Sequence, residues 1–469
     1  MLSVDDNELI TRVGPGTPMG TLMRLYWMPA VLSSEVATDG VPHRTRLLGE
    51  DLLVFRVSSG KVGVISPNCP HRGASLYFGR NEEEGLRCVY HGWKFAITGE
   101  CVEMPSEPPE SNFGSKVQVP HYLASERNGV IWIYMGPDQN NPPELPQLEW
   151  NMVPESQVYL SKRVAQNNFM QTIEGEIDSS HSGFLHRQFE KPLDGLPSDT
   201  PSMSSNDVGT LVGDPKDQIS LANNQQGMIY KMRDKHPRFE TLDTDYGVLI
   251  GARRNAEEDS YYWRITNFYL PFHTMIPPYG DNPVLSGHSY IPMDDHHVLA
   301  LCYTYNPKEP LTAGQLDYLR NGPKPGQQGL HPTVDAFLPP LAKPEGAWWP
   351  KHNIENDFNI DWEAQQTDRF SGLPGTWPQD SGMQETMGYI FDRSREHLGI
   401  SDTAIIRTRR RLIQAAKNLR DYDIKPSSTN DSAVYYTRSA AVVLPKNQDW
   451  VEGSLSSRIA SPGVNHAAV

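Results

Sequence analysis

Cys69-Pro70-His71, then residues 72–87, then Cys88-Val89-Tyr90-His91: two thiols and two imidazoles arrive as two mixed Cys/His pairs. Zinc takes the same four atoms in a tetrahedron. Zinc sites of this composition, however, usually place both cysteines in one half-site and both histidines in the other. Mixed half-sites match a [2Fe-2S] centre in which histidines replace two cysteines on one iron. The stretch therefore predicts a redox centre.

Working outward, Thr45 to Leu48, Leu52 to Val57 and Val62 to Ile65 are short apolar segments split by Gly49-Glu50-Asp51 and Ser58-Ser59-Gly60. They predict a meander of antiparallel strands leading into Cys69. Trp93-Lys94-Phe95, a turn at Thr98-Gly99-Glu100 and a strand Val130 to Tyr134 complete a small all-β unit over roughly residues 40–136. Upstream, Gly14-Pro15-Gly16-Thr17-Pro18 opens a short helix that stops at Pro29. The polar joint Pro137, Asn140, Asn141, Pro142 and Pro143 divides the chain into 1–137 and 138–469.

Beyond the joint the elements lengthen. A helix is predicted over Asn167 to His186, then a Pro- and Ser-rich loop from Lys191 to Asp217. Strands are predicted at Gly227 to Arg233, Tyr246 to Arg253, Tyr261 to Leu270 and Leu299 to Tyr305. Residues 306–355 read as a long excursion. Gly382 to Leu398 and Asp402 to Asn418 read as helices, the second with Ile405, Leu412, Ile413, Ala416 and Leu419 at helical spacing. The last twenty residues read as a loosely held tail.

Composition bounds the function. A net charge of -15 argues against a general nucleic-acid binder, which needs a basic face. Of four cysteines, Cys101 and Cys302 are left over by the cluster; two spare thiols make no secreted disulfide framework, so a reducing cytoplasm is predicted. The acidic start, Met1-Leu2-Ser3-Val4-Asp5-Asp6, is unlike a signal peptide, and no apolar run approaches the ~20 residues that cross a bilayer. No membrane association is expected.

A second constellation lies in Glu174-Gly175-Glu176-Ile177-Asp178-Ser179-Ser180-His181-Ser182-Gly183-Phe184-Leu185-His186. Two histidines and one carboxylate make a facial triad that leaves positions open on Fe(II), as dioxygen activation requires. On an ideal helix His181 and His186 stand about 140° apart, so the helix must be distorted, and Ser182-Gly183 is the expected place.

With both constellations in view, the chain resembles the large subunit of Rieske non-haem iron ring-hydroxylating oxygenases, more narrowly the phthalate 4,5-dioxygenase type that works without a small β subunit. The resemblance runs from Glu8-Leu9-Ile10-Thr11-Arg12-Val13-Gly14-Pro15 through Cys69-Pro70-His71-Arg72-Gly73-Ala74-Ser75 and Pro105-Ser106-Glu107 to Asp392-Arg393-Ser394-Arg395-Glu396-His397-Leu398-Gly399. It implies an α+β chain: an all-β Rieske domain whose cluster is held by Cys69, His71, Cys88 and His91, then a catalytic domain with a curved antiparallel sheet around helices. It implies His181 and His186 as iron ligands and, in Trp377-Pro378-Gln379-Asp380, Asp380 as the third, with Asp357, Asp361 and Asp368 nearby in sequence. Asp178 then becomes a bridging carboxylate, accepting from His181 and from His91 of a neighbouring subunit, which implies trimers or two stacked trimers. The implied partner is a reductase carrying flavin and an iron-sulfur centre, fed by NAD(P)H.

The implied substrate is an aromatic carboxylate, phthalate-like; O-demethylation or ether cleavage of a methoxy- or phenoxybenzoate is the alternative, and an electron carrier without oxygenase activity is the alternative of another class. An acid needs a cation in the pocket, for which Lys231, Arg233, Arg253, Arg254 and Arg264 are candidates. Asp294-Asp295-His296-His297 reads as a turn rather than a metal site, since adjacent strand side chains face opposite ways. Arg407, Arg409, Arg410 and Arg411 read as a solvated face, with docking of an acidic electron donor as the lesser reading. Cys101 and Cys302 read as small buried hydrophobes, and Asn168 and Glu174 as groups that steer the iron site or merely cap and solvate the helix.

Overall fold

Ten strands occupy residues 27–134: β1 (Trp27–Leu32), β2 (His43–Leu47), β3 (Glu50–Arg56), β4 (Val62–Ile65), β5 (Arg80–Glu82), β6 (Gly85–Arg87), β7 (Lys94–Ala96), β8 (Cys101–Glu103), β9 (His121–Arg127) and β10 (Val130–Tyr134). The computed structural model describes residues 1–187, 225–278, 284–323 and 326–460. The expected meander β2-β3-β4 lies in a six-stranded sheet ordered β1-β10-β9-β4-β3-β2, beside a four-stranded sheet β5-β6-β7-β8. Strands begin at Trp27, earlier than the sequence suggests. The helix Pro18–Arg24, capped by Thr17, ends well before Pro29, and Pro29 is accommodated next to a register shift on edge strand β1, where a missing N–H is tolerated.

A second, eight-stranded sheet is built from β11 (Val158–Ala165), β12 (Arg238–Asp243), β13 (Gly247–Asn255), β14 (Ser260–Tyr269), β15 (His273–Ile276), β16 (Leu285–Pro292), β17 (Val298–Tyr305) and β18 (Ala440–Pro445). Its order is β11-β17-β16-β15-β14-β13-β12, with β18 paired to β14. The central helix Phe169–Ile177 packs on β14, β15 and β16, burying Phe169, Met170, Ile173 and Ile177. The strands of this sheet pair antiparallel among the described residues, as the resemblance implies.

Several expected elements shift. Gly227 to Arg233 lies in a helix, Gln225–Arg233, not a strand; a short stretch of mixed polarity does not separate the two periods. Gly382 to Leu398 is helical only at its start, because the helix runs Thr376–Thr386. The long helix Thr403–Tyr422 exceeds its expected end. The excursion 306–355 contains a capped helix, Ala313–Asn321. The tail is partly anchored, since Trp450 stacks on Trp263 at 5.2 Å. The expected loop Lys191 to Asp217 lies outside the described residues.

Asp294 to His297 forms the expected turn, and it ties the N-terminal segment to the second sheet. Asp294 accepts from the amides of His296 and His297 and pairs with Arg46, while Asp295 accepts from the Val13 amide at 2.8 Å and pairs with Arg12. The basic run on the helix Thr403–Tyr422 is not a uniform solvated face. Arg407 pairs with Asp243, and Arg409 is buried against Glu174 and Glu396. Glu174 also receives Arg393 through two bonds of 2.9 and 3.0 Å, with Arg393 fully buried. Removing one partner of such a network strands the other charge in the interior. Arg393→Ala is expected to cost about 3 kcal/mol, read as a lowered midpoint in denaturant unfolding.

Candidate active site

Two loops of like shape present the Cys/His pairs. In one, Cys69 N–H donates to Ala74 O and Gly73 N–H to Cys69 O; in the other, Cys88 N–H donates to Trp93 O and Gly92 N–H to Cys88 O. Gly73 and Gly92 have φ of +76° and +78°, a turn that a side chain would strain. The cysteines are buried, and the His71 and His91 rings lie half-buried with centroids 4.5 Å apart. Trp93 stacks on His71 at 4.4 Å and is held by Ser106 through its indole N–H. Burial pushes the Cys69 thiol up to about 11, so a thiolate here requires an adjacent cation. Two buried sulfurs and two outward imidazoles fit a cluster with one sulfur-ligated and one histidine-ligated iron.

The second constellation forms where the central helix stops. Asn168 caps the helix at its start, accepting from the Met170 amide and donating to Thr11 O and Asp295 O; it is a cap and tie, remote in role from the ligands. At the other end Asp178 leaves helical geometry (φ -84°, ψ 101°) and its carboxylate accepts from the amides of Ser180 at 2.7 Å and His181 at 3.2 Å. This local capture competes with helix continuation. The distortion expected at Ser182-Gly183 thus begins earlier, at Asp178, and His181 opens a separate short turn.

The loop brings His181 Nε2 to 3.1 Å from His186 Nε2, with Asp380 Oδ1 3.5 Å and 3.3 Å from them. Two ligand atoms about 2.1 Å from one ion and at right angles stand about 3.0 Å apart, so the spacing fits one metal. These are the three residues whose ligand atoms converge among the described residues; Asp357, Asp361 and Asp368 do not join them. Asp380 sits on the helix Thr376–Thr386, which starts at Gly375, where φ is +109° and a Cβ would overlap the Gln328 carbonyl. Burial pushes the Asp380 carboxyl up, but His186, His181 and Arg163 outweigh it and hold it below its ordinary value.

Behind the triad, His186 Nδ1 lies 2.6 Å from Gln379 Oε1. A ligating imidazole usually donates its second N–H in this way, yet sequence reasoning quoted Gln379 without giving it a role; its place directly before Asp380 was the available signal. Asp178 Oδ2 stands 3.6 Å from His181 Nδ1, an ion-pair distance longer than a hydrogen bond. Burial raises the Asp178 carboxyl, and His181 with the two amides brings it below its usual value. The Glu174 carboxylate is taken up by Arg393 and Arg409, the arginine network described above.

Residues 26–122 match the Rieske [2Fe-2S] domain, and residues 133–194 and 344–465 match the LigXa C-terminal domain like family. The 3-chlorobenzoate-3,4-dioxygenase oxygenase subunit of Comamonas testosteroni is 38% identical over 96% of this chain and 97% of its own length. The chain belongs to the Rieske non-haem iron oxygenases. The phthalate 4,5-dioxygenase oxygenase subunit of Pseudomonas putida is 37% identical over 88% of this chain and 86% of its own. The fold is shared with the terminal oxygenase of carbazole 1,9a-dioxygenase from Novosphingobium sp. KA1, at a TM-score of 0.51 and 20% identity over 88% of this chain and 99% of that one. This Rieske oxygenase is therefore an oxidoreductase whose cofactors are a [2Fe-2S] cluster and a mononuclear iron. Among the described residues no helix is long and apolar enough to cross a membrane.

A cavity of about 190 Å³ opens beside the triad, with His181, His186 and Asp380 on one side and Lys231, Arg264 and His331 elsewhere in its lining. The five candidate cations thus separate. Lys231 and Arg264 are buried in the lining, Arg264 with its Nη2 donating to Pro277 O; outside the lining, Arg254 is buried and donates to Ser179 O, Arg253 pairs with Glu240 and Arg233 is exposed. Cys302 is buried as expected, whereas Cys101 is half-buried. If the second-nitrogen contact orients His186, Gln379→Leu is expected to weaken Fe(II) binding about tenfold or more while the reduced-cluster EPR signal stays unchanged.

Proposed function

We propose that this Rieske oxygenase is the oxygenase component of a multicomponent system that hydroxylates an aromatic carboxylate, with Cys69, His71, Cys88 and His91 holding the cluster and His181, His186 and Asp380 holding the iron. Residues 1–137 serve as the cluster domain and 138–469 as the catalytic domain. Bound iron supplies open coordination positions for dioxygen, and the cluster supplies electrons.

The observation that carries the substrate class is the placement of buried Lys231 and Arg264 in the same cavity as the triad, together with apolar Ile276, Pro277, Leu319 and Leu330. A buried cation binds a carboxylate through charge-assisted hydrogen bonds, and the apolar lining accepts a ring. The relatives named above act on chlorobenzoate and phthalate. Methoxybenzoate demethylation is the second reading, favoured by a 27% identity over 99% of this chain to the 5,5'-dehydrodivanillate O-demethylase oxygenase subunit of Sphingobium sp. (strain NBRC 103272 / SYK-6).

Asp178 and His91 pass electrons between protomers of a trimer or of two stacked trimers. Two exposed apolar surfaces support this reading: Val89 and Tyr90 at the tip of the second cluster loop, and Phe184, Trp362, Phe370 and Met387 around a groove of about 800 Å³ that reaches Asp178 and His181. An NAD(P)H-dependent reductase with flavin and an iron-sulfur centre reduces the cluster, in the cytoplasm.

Single turnover of the reduced, iron-loaded protein with labelled dioxygen and a panel of phthalates, phenoxybenzoates and methoxybenzoates tests the assignment. Gain of both oxygen atoms on a ring is the expected result; loss of methyl selects the second reading, and no product from any acid refutes the substrate class. Arg264→Met is expected to raise KM about tenfold or more, with a smaller change in kcat.

A further inference from the structure

Three consecutive residues, Glu174 to Glu176, meet three different parts of the protein just ahead of Asp178. Glu174 takes Arg393 and Arg409. Gly175 lies against Gln384 of the Asp380-bearing helix, whose amide would have to move to admit a Cβ. That contact is continued by Gln171 Nε2, which donates to Gln384 O and Gly388 O, both at 2.9 Å. Glu176 reaches the opposite way, onto the sheet. Its carboxylate accepts from His288 Nδ1 at 2.7 Å, Tyr290 Oη at 2.9 Å and Thr274 Oγ1 at 3.4 Å, on β16 and β15. Glu176 also lines the cavity beside the triad.

We propose that Glu176 is a positioning residue for the iron site, fastening the end of the central helix to the sheet while Glu174 and Gly175 fix its other two sides. The proposal rests on the reading of His181, His186 and Asp380 as ligands. A helix end held by one contact can roll or slide; three contacts in different directions leave it one position. The chain leaves the helix two residues after Glu176, so a shift there moves Asp178 and the turn that aims His181 at His186. Burial pushes the Glu176 carboxyl up, and the charge of His288 brings it below its ordinary value, so a charged pair fastens the helix. Such a pair is strong when both partners are present and hydrogen-bonded.

The test uses the full-length protein stripped of mononuclear iron but retaining its cluster. Fe(II) is titrated into Glu176→Ala, Glu176→Gln, His181→Ala and Tyr435→Phe, the last losing a buried hydrogen bond to Leu270 O away from the triad. At saturating iron the EPR line shape with nitric oxide as probe is recorded for each. Glu176→Ala is expected to bind Fe(II) about tenfold more weakly and to broaden the probe signal, with Glu176→Gln between it and wild type. The cluster signal stays unchanged, and Tyr435→Phe lowers the Tm without altering iron affinity. Wild-type affinity and line shape in Glu176→Ala, or an equal change in Tyr435→Phe, overturns the proposal. Undiminished iron binding in His181→Ala overturns the ligand reading itself, a result distinguishable from failure of Glu176 alone.

Discussion

Two imidazole nitrogens 3.1 Å apart with a carboxylate oxygen 3.3 Å and 3.5 Å away form a donor cluster that a cation binds together. Much of the second half of the chain serves that convergence. The histidines come from a loop after one helix and the aspartate from the first turns of another, so the two helices must be locked in register. Close approach at Gly175, the amide bonds of Gln171 and the positive φ of Gly375 provide the lock. The helix Thr403–Tyr422 then fastens the central one through Arg409 and Glu174.

The first centre depends on a different constraint. Its candidate ligands sit in loops between short strands, and the loops keep their shape through paired backbone hydrogen bonds and glycines at positive φ, with Cys69, Cys88 and Trp93 packed into a small core of their own. Such a frame leaves the histidines half-buried while the cysteines stay covered. A redox centre needs both: burial to protect the sulfur-ligated iron, exposure to let electrons in and out. The two centres thus use opposite strategies, one local and one assembled from distant segments.

That contrast sets what the sequence made legible. The Cys/His pairs, the meander before them and the converging histidines His181 and His186 are legible because each signal is contained in about twenty residues. Gly227 to Arg233 reads as a strand but is helical, and β11, β12, β15, β16 and β18 lie outside the expected strands, because their pairing with neighbouring strands defines them and they carry no clean alternation between apolar and polar residues. The extent of the central helix was overestimated for a related reason: the carboxylate of Asp178 competes for the amides that would have continued it, and that competition depends on side-chain placement. Glu176 gave no warning in sequence, since its partners on β15 and β16 are about a hundred residues downstream.

On the function proposed above, one chain holds two iron centres, the second at His181, His186 and Asp380. Iron and sulfide analysis of anaerobically prepared protein, paired with EPR in the reduced state and with nitric oxide added, tests it most directly. About three irons and two sulfides per chain are expected, with a rhombic cluster signal and a separate iron-nitrosyl signal that His186→Ala removes while keeping the first. Two irons with no nitrosyl signal, or a nitrosyl signal that survives His186→Ala, would contradict the account.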